Sequence, residues 1–286
     1  MAAQQTVLKI YFGVLSFVAP SRAAKKSFDL FQKVRKKDIR PREASFFKSA
    51  RHFQVEAILD QNKVDQIDCY ELGDPKQDLV VLVHGWDSNA GSMSQIANKL
   101  VEEGKRVVLF NLPGHAFSVH HSTNLLECKN AVTAVLNHLK PMSGFSVVSH
   151  SFGSAVVAYA LSKNNYELDK LIFLTNPNRV EHIFKDFKNF IGLNNRAYLA
   201  LLKLTQDKLG EPIHAVSVAA NLTGVNYQKL LLIHDKNDKV LDYSNSLEVK
   251  DGNPKAELLT FENIGHYKML WNKEVINNCA IFLNND

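Results

Sequence analysis

Short, continuous runs of apolar residues recur along the chain, and each is bounded by polar or turn-forming residues. Leu79 to His84, Arg106 to Asn111 and Phe145 to Ser149 are three such runs. Runs of this length without polar alternation are typical of strands buried on both faces of a sheet. Three later runs predict further strands, at 170–176, 229–235 and 256–261.

Stretches with helical spacing of apolar residues separate these runs. They lie at 92–103, 124–139, 154–161 and 268–282. Strands that alternate with helices predict an α/β fold with a mostly parallel sheet covered by helices on both faces.

The residues at about 178–227 interrupt this alternation. They contain no obvious strand, and apolar residues such as Ile183, Phe187 and Leu201 recur there at helical spacing. We therefore predict a helical insertion between the sixth and seventh strands of the central sheet.

The first fifty residues differ from the rest in charge. Through Arg51 the chain has twelve Lys and Arg against three Asp and Glu, a formal net charge of +9, whereas the whole chain carries +5. We therefore predict a basic, partly apolar helical extension over residues 1–50 and a main domain over residues 51–286.

Two interpretations of this extension stay open. Val7 to Ala19 is an apolar run too short to span a bilayer, and basic residues follow it. The run could enter the headgroup region of an anionic membrane as a peripheral contact. Alternatively, the extension packs on the main domain as a helical pair, which the spacing of Leu30, Phe31 and Val34 favours. Nucleic-acid binding is not expected, because no recognition motif accompanies the charge.

The number and spacing of the cysteines indicate whether the protein's compartment is oxidising or reducing. The three cysteines are far apart and odd in number, so we expect no disulfide framework. A reducing, cytoplasmic location follows, with any membrane contact at the inner surface. The histidines and cysteines show no ligand spacing and no nucleotide motif is present, so we expect neither a metal nor another cofactor.

Four segments in order carry a resemblance to a known family. They are Val80-Val81-Leu82-Val83-His84-Gly85-Trp86, Asn111-Leu112-Pro113-Gly114-His115, Ser149-His150-Ser151-Phe152-Gly153, and Leu230 to Val240 followed by Gly265-His266. This arrangement resembles the α/β-hydrolase superfamily, in which a serine occupies a strained turn between a strand and a helix. The motif is usually Gly-x-Ser-x-Gly, and here Ser149 replaces the first glycine.

The resemblance implies an α/β-hydrolase fold with a mostly parallel eight-stranded sheet. The stretches at 53–59 and 66–71 resemble the antiparallel strands that open that sheet. The insertion at about 178–227 resembles the helical cap that covers the active site in this superfamily.

The resemblance also implies a catalytic triad. Ser151 is the nucleophile, and His266 occupies the superfamily's last triad position as the base. Asp238, two residues before Val240, matches the acid, while Asp235 competes with it and is interpreted as a turn former. The backbone N–H groups of Trp86 and Phe152 are the expected oxyanion donors.

A serine hydrolase that cleaves a carboxylic ester through an acyl-enzyme is the predicted function. A thioesterase, an amidase or a carbon–carbon bond hydrolase would use the same triad. A ligand-binding protein without catalysis on the same fold is the alternative from another class. The expected partner is a small ester or acyl substrate, and the sequence leaves the oligomeric state open.

Overall fold

The computed structural model describes residues 2–141 and 144–285. Its strands are β1 (Arg51–Asp60), β2 (Lys63–Leu72), β3 (Leu79–Val83), β4 (Arg106–Phe110), β5 (Phe145–His150), β6 (Glu167–Leu174), β7 (Asn226–Asp235) and β8 (Glu257–Phe261). Its α-helices are α1 (Ala2–Val18), α2 (Pro20–Phe31), α3 (Pro41–Ser49), α4 (Ser94–Glu102), α5 (Leu125–Leu139), α6 (Phe152–Ser162), α7 (Val180–Ile191), α8 (Asn195–Leu209), α9 (Val218–Leu222), α10 (Ser244–Gly252) and α11 (Lys273–Asn284).

The chain forms two compact units. One, here called the helical unit, consists of Met1–Lys33 and Arg179–Ser217. The other, the sheet unit, consists of Val34–Asn178 and Val218–Asp286. Each unit has its own core of buried apolar side chains.

The sheet unit is built on one eight-stranded sheet with the order β1-β2-β4-β3-β5-β6-β7-β8. The β1–β2 and β2–β4 pairs are antiparallel, and every later pair is parallel. This confirms the predicted fold class, including the antiparallel strands that open the sheet.

Alternation along β3 shows why its sequence is continuously apolar. Val81 and Val83 face a core shared with α5 and α6, whereas Val80 and Leu82 face a second core shared with α4 and α11. A strand between two helical layers must be apolar on both faces. The parallel strands all end at one edge of the sheet, so the loops after β3, β4, β5, β7 and β8 gather at that edge.

The helical unit joins the N-terminus to the predicted insertion. The insertion lies between β6 and β7 as predicted, and its helices α7 and α8 share a core with α1 and α2. Phe12 and Phe28 from the N-terminal helices are buried in that core, and Phe31 stacks on Phe184 with ring centroids 4.5 Å apart. Within the predicted main domain, the N-terminal helices therefore have the insertion helices as their core partners.

The predicted extension over residues 1–50 therefore divides at Lys33. From Val34 onward the chain belongs to the sheet unit, where the Arg35 N–H donates to Asp87 Oδ1 at 2.8 Å. Lys37 donates from Nζ to the carbonyl oxygens of Ser118 and His120. The sheet unit thus uses part of the basic segment as internal hydrogen-bond donors.

The insertion within the helical unit is also narrower than predicted. Helix α9 packs on α6 in the sheet unit, so the inserted part of the helical unit is 179–217 rather than about 178–227. That the insertion acts as a cap that covers the active site stays a prediction.

The N-terminal apolar run forms α1, which is 17 residues long. Within residues 2–141 and 144–285, no helix is long and apolar enough to cross a membrane.

Candidate active site

Ser151 lies on the sharp turn between β5 and α6, as its sequence context predicts. Its backbone has φ 53° and ψ −125°, and residues other than glycine rarely adopt a positive φ of this kind. Such strain persists only where the surrounding structure holds it, and it is concentrated at functional sites. The Ser151 N–H donates to the Leu174 carbonyl at 2.9 Å, which anchors the turn to β6.

Two glycines allow the backbone around Ser151 to pack closely. A Cβ added at Gly153 would lie 2.6 Å from the Val83 carbonyl oxygen, so α6 can start against β3 only without a side chain there. A Cβ at Gly85 would lie 3.0 Å from the Ser151 Cβ. Both glycines bring the β3 loop close to the serine.

Ser149 occupies the position where the family motif usually has glycine. Its side chain is fully buried, and its Oγ donates to Ser154 Oγ at 2.9 Å. The first turn of α6 therefore supplies a partner for the added hydroxyl, so the replacement costs no unsatisfied polar group.

Three predicted residues from separate loops form one hydrogen-bonded chain. His266 follows β8, and its Nδ1 lies 2.7 Å from Asp238 Oδ2 in the loop after β7. Its Nε2 lies 2.9 Å from Ser151 Oγ. A carboxylate can only accept, so Nδ1 carries the proton and Nε2 accepts from the serine hydroxyl. This is the tautomer that can take a proton from Ser151.

The Asp238 side chain is inaccessible to solvent. Burial by itself would raise its pKa, but hydrogen bonds from His266 and from the backbone N–H groups of Val240 and Leu241 outweigh burial. The pKa of Asp238 consequently lies below its ordinary value, and the carboxylate stays ionised beside the imidazole.

Asp235 has a different role from Asp238, and a larger one than a local turn former. One bond is local, from the Asn237 N–H at 2.8 Å. The Asp235 carboxylate also accepts from the N–H groups of Asn263 and Gly265, which lie in the loop that leads to His266. The carboxylate thus ties the end of β7 to the loop that carries His266. Sequence spacing alone could not reveal these bonds, because the two loops are nearly thirty residues apart.

The loop after β3 carries Trp86, the second predicted backbone donor. His84 Nε2 accepts from the Leu112 N–H at 2.9 Å, so the ring proton lies on Nδ1, which donates to the Gly85 carbonyl at 2.7 Å. The Gly85 carbonyl and the Trp86 N–H belong to one planar trans peptide and point in opposite directions. The hydrogen bond from His84 to the Gly85 carbonyl therefore holds the Trp86 N–H in a direction that points away from the His84 ring.

Phe152 provides the other predicted donor from the first turn of α6. The first N–H groups of a helix have no acceptor within it and carry partial positive charge. The Trp86 ring contacts the Phe152 ring edge-on, with centroids 5.1 Å apart, and also meets His115. The indole therefore packs between the start of α6 and the loop after β4.

Comparisons with known proteins agree with the fold. Residues 78–195 match a family model described as alpha/beta hydrolase fold. The chain has the α/β-hydrolase fold. Among curated relatives, a serine hydrolase-like protein of Dictyostelium discoideum is 28% identical over 98 residues. That match covers 33% of this chain and 27% of the relative, so the chain spans about a quarter of that protein's length.

Solved structures of an esterase and a thioesterase have a similar fold. A carboxylesterase structure from the thaumarchaeon Nitrososphaera gargenis is similar with a TM-score of 0.60 and 16% identity, over 79% of this chain and 97% of that one. A thioesterase domain from the curacin biosynthetic pathway has a TM-score of 0.60 and 14% identity, over 83% of this chain and 100% of the domain. At these identities the similarity establishes the fold.

Two buried histidines, His84 and His115, lie beside the site. His115 donates from Nδ1 to the Pro113 carbonyl and accepts at Nε2 from the Asp87 N–H. Burial lowers its pKa to about 4, and burial lowers that of His84 well below its ordinary value. Both rings therefore stay neutral and act as fixed hydrogen-bond bridges between backbone groups.

His150, directly before Ser151, is also buried. Its Nε2–H donates to the carbonyl oxygen of His266 at 3.1 Å, and its Nδ1 has no partner among the described atoms. Burial and the neighbouring His266 lower its pKa to about 3. A neutral ring here holds the backbone of His266 without adding a charge beside it.

The cysteines lie outside this chemistry. Cys69, Cys128 and Cys279 are free and buried. Burial raises the pKa of all three thiols, that of Cys128 and Cys279 to about 12. Protonated, inaccessible thiols cannot act as nucleophiles. In the part of the chain that the structure describes, no group of three or more His, Cys, Asp or Glu side chains is arranged to hold a metal ion.

Proposed function

We propose that this α/β-hydrolase is a serine hydrolase that cleaves a carboxylic ester through an acyl-enzyme intermediate. The observation that supports it most directly is the continuous chain from Ser151 Oγ through His266 to Asp238, with separations of 2.9 and 2.7 Å. A serine hydroxyl bonded to a neutral imidazole whose other nitrogen faces a carboxylate is an activated nucleophile.

The proposed reaction begins with attack by Ser151 Oγ on the ester carbonyl carbon. The hydroxyl proton passes to His266 Nε2, and Asp238 stabilises the resulting imidazolium. The carbonyl oxygen becomes an oxyanion, for which the N–H groups of Trp86 and Phe152 are the proposed donors. When the bond to the leaving oxygen breaks, His266 returns the proton to it and the alcohol departs.

Hydrolysis of the acyl-enzyme repeats these roles with water. His266 takes a proton from the water as its oxygen attacks the acyl carbon, and it then returns that proton to Ser151 Oγ. The acid is released and the serine is restored. Side chains and backbone groups of this chain perform every step.

The acyl donor is the part of the proposal that the site geometry constrains least. Esters, thioesters and amides all pass through a tetrahedral intermediate with the same charge, and a carbon–carbon bond hydrolase would use the same three groups. Esters rank ahead of amides because an alcohol is a better leaving group than an amine.

A graded substrate panel tests the proposal. It contains p-nitrophenyl esters of increasing acyl length, acyl-CoA thioesters and p-nitroanilides, assayed with the wild type, Ser151→Ala and Ser162→Ala. Ser162 ends α6 and donates to the Tyr159 carbonyl, so it controls for loss of a hydroxyl from the same helix.

We expect ester turnover in the wild type and in Ser162→Ala, and none above background in Ser151→Ala. Faster turnover of thioesters than of matched esters would redirect the proposal to a thioesterase. If no acyl donor is turned over, or if Ser151→Ala is as active as the wild type, the proposed function is wrong and a binding protein on this fold becomes the better account.

A further inference from the structure

Helix α1 presents apolar side chains on two opposite faces. One face contributes Phe12 to the core of the helical unit, where the backbone of α1 also approaches Gly192. The other face carries six large hydrophobic side chains that are 45% to 84% exposed: Val7, Ile10, Tyr11, Val14, Phe17 and Val18. Their spacing of three and four residues places them on one stripe of the helix. We call these six residues the apolar stripe.

Exposure of this kind is unusual. Single exposed hydrophobic residues are normal on a soluble protein, but a contiguous patch marks a surface that binds something. Core packing does not account for the stripe, because Phe12 and Ser16 on the opposite face of the helix are the buried positions.

Basic side chains follow the apolar stripe directly along the chain. Arg22, Lys25 and Lys26 lie on the first two turns of α2 and are exposed. In the described ranges 2–141 and 144–285, no carboxylate forms an ion pair with any of the three. Their charges are therefore available to an external partner.

The charge of the whole chain is also concentrated in this unit. The helical unit has eleven Lys and Arg against five Asp and Glu, a formal net charge of +6. The sheet unit, three times as long, carries the remaining −1 of the chain's +5. A partner of the helical unit should consequently be apolar at its centre and negatively charged around it.

We propose that the helical unit docks on the surface of an anionic lipid bilayer, with α1 lying in the plane of the membrane. The apolar stripe enters the boundary between headgroups and acyl chains, and Arg22, Lys25 and Lys26 bind the anionic headgroups. A 17-residue helix fixed along one face by core packing is suited to lie on a membrane rather than cross it.

A second copy of the chain fits the stripe less well. Val7, Ile10, Val14 and Phe17 have the a and d spacing of a coiled coil, but they cover fewer than the three or four heptads that a stable coiled coil shows. Pairing through α1 would also place one +6 unit against another. Charge complementarity therefore selects anionic lipid over self-association.

Co-sedimentation of the full chain with vesicles tests the proposal. One vesicle preparation is phosphatidylcholine alone, and the other contains about one third phosphatidylglycerol. We expect binding to the anionic vesicles only, and its loss at about 1 M salt, where screening extends over only about 3 Å.

Two variants examine the two parts of the surface, each with a matched control. Ile10→Glu/Val14→Glu introduces two charges into the stripe, and its control Ile58→Glu/Ile281→Glu changes two residues that are equally exposed on the sheet unit. Arg22→Glu/Lys25→Glu/Lys26→Glu reverses three charges beside the stripe. Its control Lys76→Glu/Lys255→Glu/Lys273→Glu reverses three exposed charges on the sheet unit.

We expect each helical-unit variant to lower the vesicle partition coefficient by about a hundredfold or more, while both controls bind as the wild type does. Hydrolysis of a water-soluble ester should be unchanged in all four variants, so this test does not depend on the proposed reaction. Deleting residues 1–40 would be a poorer test, because it removes Phe12 and Phe28 from the core.

Three results would overturn the proposal. The wild type could fail to bind anionic vesicles at low salt, or the control variants could lose binding as strongly as the helical-unit variants. Sedimentation velocity could also show a lipid-free dimer that dissociates in Ile10→Glu/Val14→Glu, which would assign the stripe to self-association instead.

Discussion

Two groups of loops at the same edge of the sheet use histidine in opposite ways. In the loops after β3 and β4, His84 and His115 use both ring nitrogens on backbone groups. In the loops after β7 and β8, His266 bonds a carboxylate at one nitrogen and a serine hydroxyl at the other. The first two rings are fixed bridges, whereas the third can accept a proton.

The difference shows that the partners of a histidine decide its chemistry more than its motif does. His84 precedes a glycine and His266 follows one, and both are buried. A ring held between a carbonyl and an N–H gains nothing from protonation, because protonation would replace an acceptor nitrogen with a donor facing another donor. A ring facing a carboxylate gains an ion pair when it is protonated.

The largest predicted effect comes from removing the proton acceptor. In His266→Ala, Ser151 loses its proposed base, and we expect kcat for an ester substrate to fall by about 10⁵-fold with little change in KM. His115→Asn, which retains an N–H donor near the position of Nδ1, should stay within about tenfold of the wild type by comparison. If the two variants were equally impaired, the division of histidines into a base and bridges would be wrong.

The next largest effect distinguishes Asp238 from Asp235, the two aspartates in the loop after β7 and at its start. In Asp238→Asn the imidazole loses its carboxylate partner, and we expect kcat to fall by about 10⁴-fold at nearly unchanged stability. Asp235→Asn weakens the bonds to the N–H groups of Asn263 and Gly265, so its main effect should be a lower free energy of unfolding, by about 2 kcal/mol.

Denaturant unfolding together with ester kinetics measures both effects. A 10⁴-fold loss of kcat in Asp235→Asn, with Asp238→Asn active, would transfer the role of acid to Asp235.

A smaller effect is expected where His84 directs the Gly85–Trp86 peptide. His84→Ala leaves the direction of the Trp86 N–H unsupported, and we expect kcat to fall by about a hundredfold while KM changes little. His84→Asn keeps a side-chain N–H near the Gly85 carbonyl and should recover part of the loss. A change confined to KM would place His84 in substrate binding instead.

The smallest effect is on stability in acid. The pKa values of His84, His115 and His150 are lowered by burial, the latter two to about 4 and about 3. The unfolded chain therefore binds more protons than the folded chain below pH of about 6.5, so stability is fully present above that pH and decreases as pH falls toward about 3.

Each such histidine adds up to about 1.4 kcal/mol per pH unit to the slope of the free energy of unfolding against pH. In a plot of the free energy of unfolding against pH, His115→Asn should have a smaller slope in acid than the wild type, by the contribution of one proton. An unchanged slope would mean that His115 is protonated in the folded protein.

Sequence patterns predicted most of the sheet unit because its constraints are local. A strand buried on both faces has a continuous apolar run, as Leu79–Val83 does, and the serine turn requires a small residue at Gly153. These signals are complete within a few residues. The resemblance to the α/β-hydrolases then supplied the order in which Ser151, Asp238 and His266 occur.

The features that sequence missed depend on distant partners. The bonds from Asp235 to the loop before His266 require the two loops to be adjacent in space. The N-terminal helices pack with residues 179–217, a pairing that helical spacing cannot specify because amphipathic helices match many surfaces. The apolar run of α1 likewise did not show which of its residues are exposed.

Active-site labelling with a fluorophosphonate tests the central claim most directly, because the reagent reacts with an activated serine and leaves ordinary hydroxyls unmodified. We predict one equivalent of label, located on Ser151 by peptide mass spectrometry, absent in Ser151→Ala and slowed by at least about a thousandfold in His266→Ala. A wild-type protein that takes up no label, or label that persists at another residue in Ser151→Ala, would contradict the account.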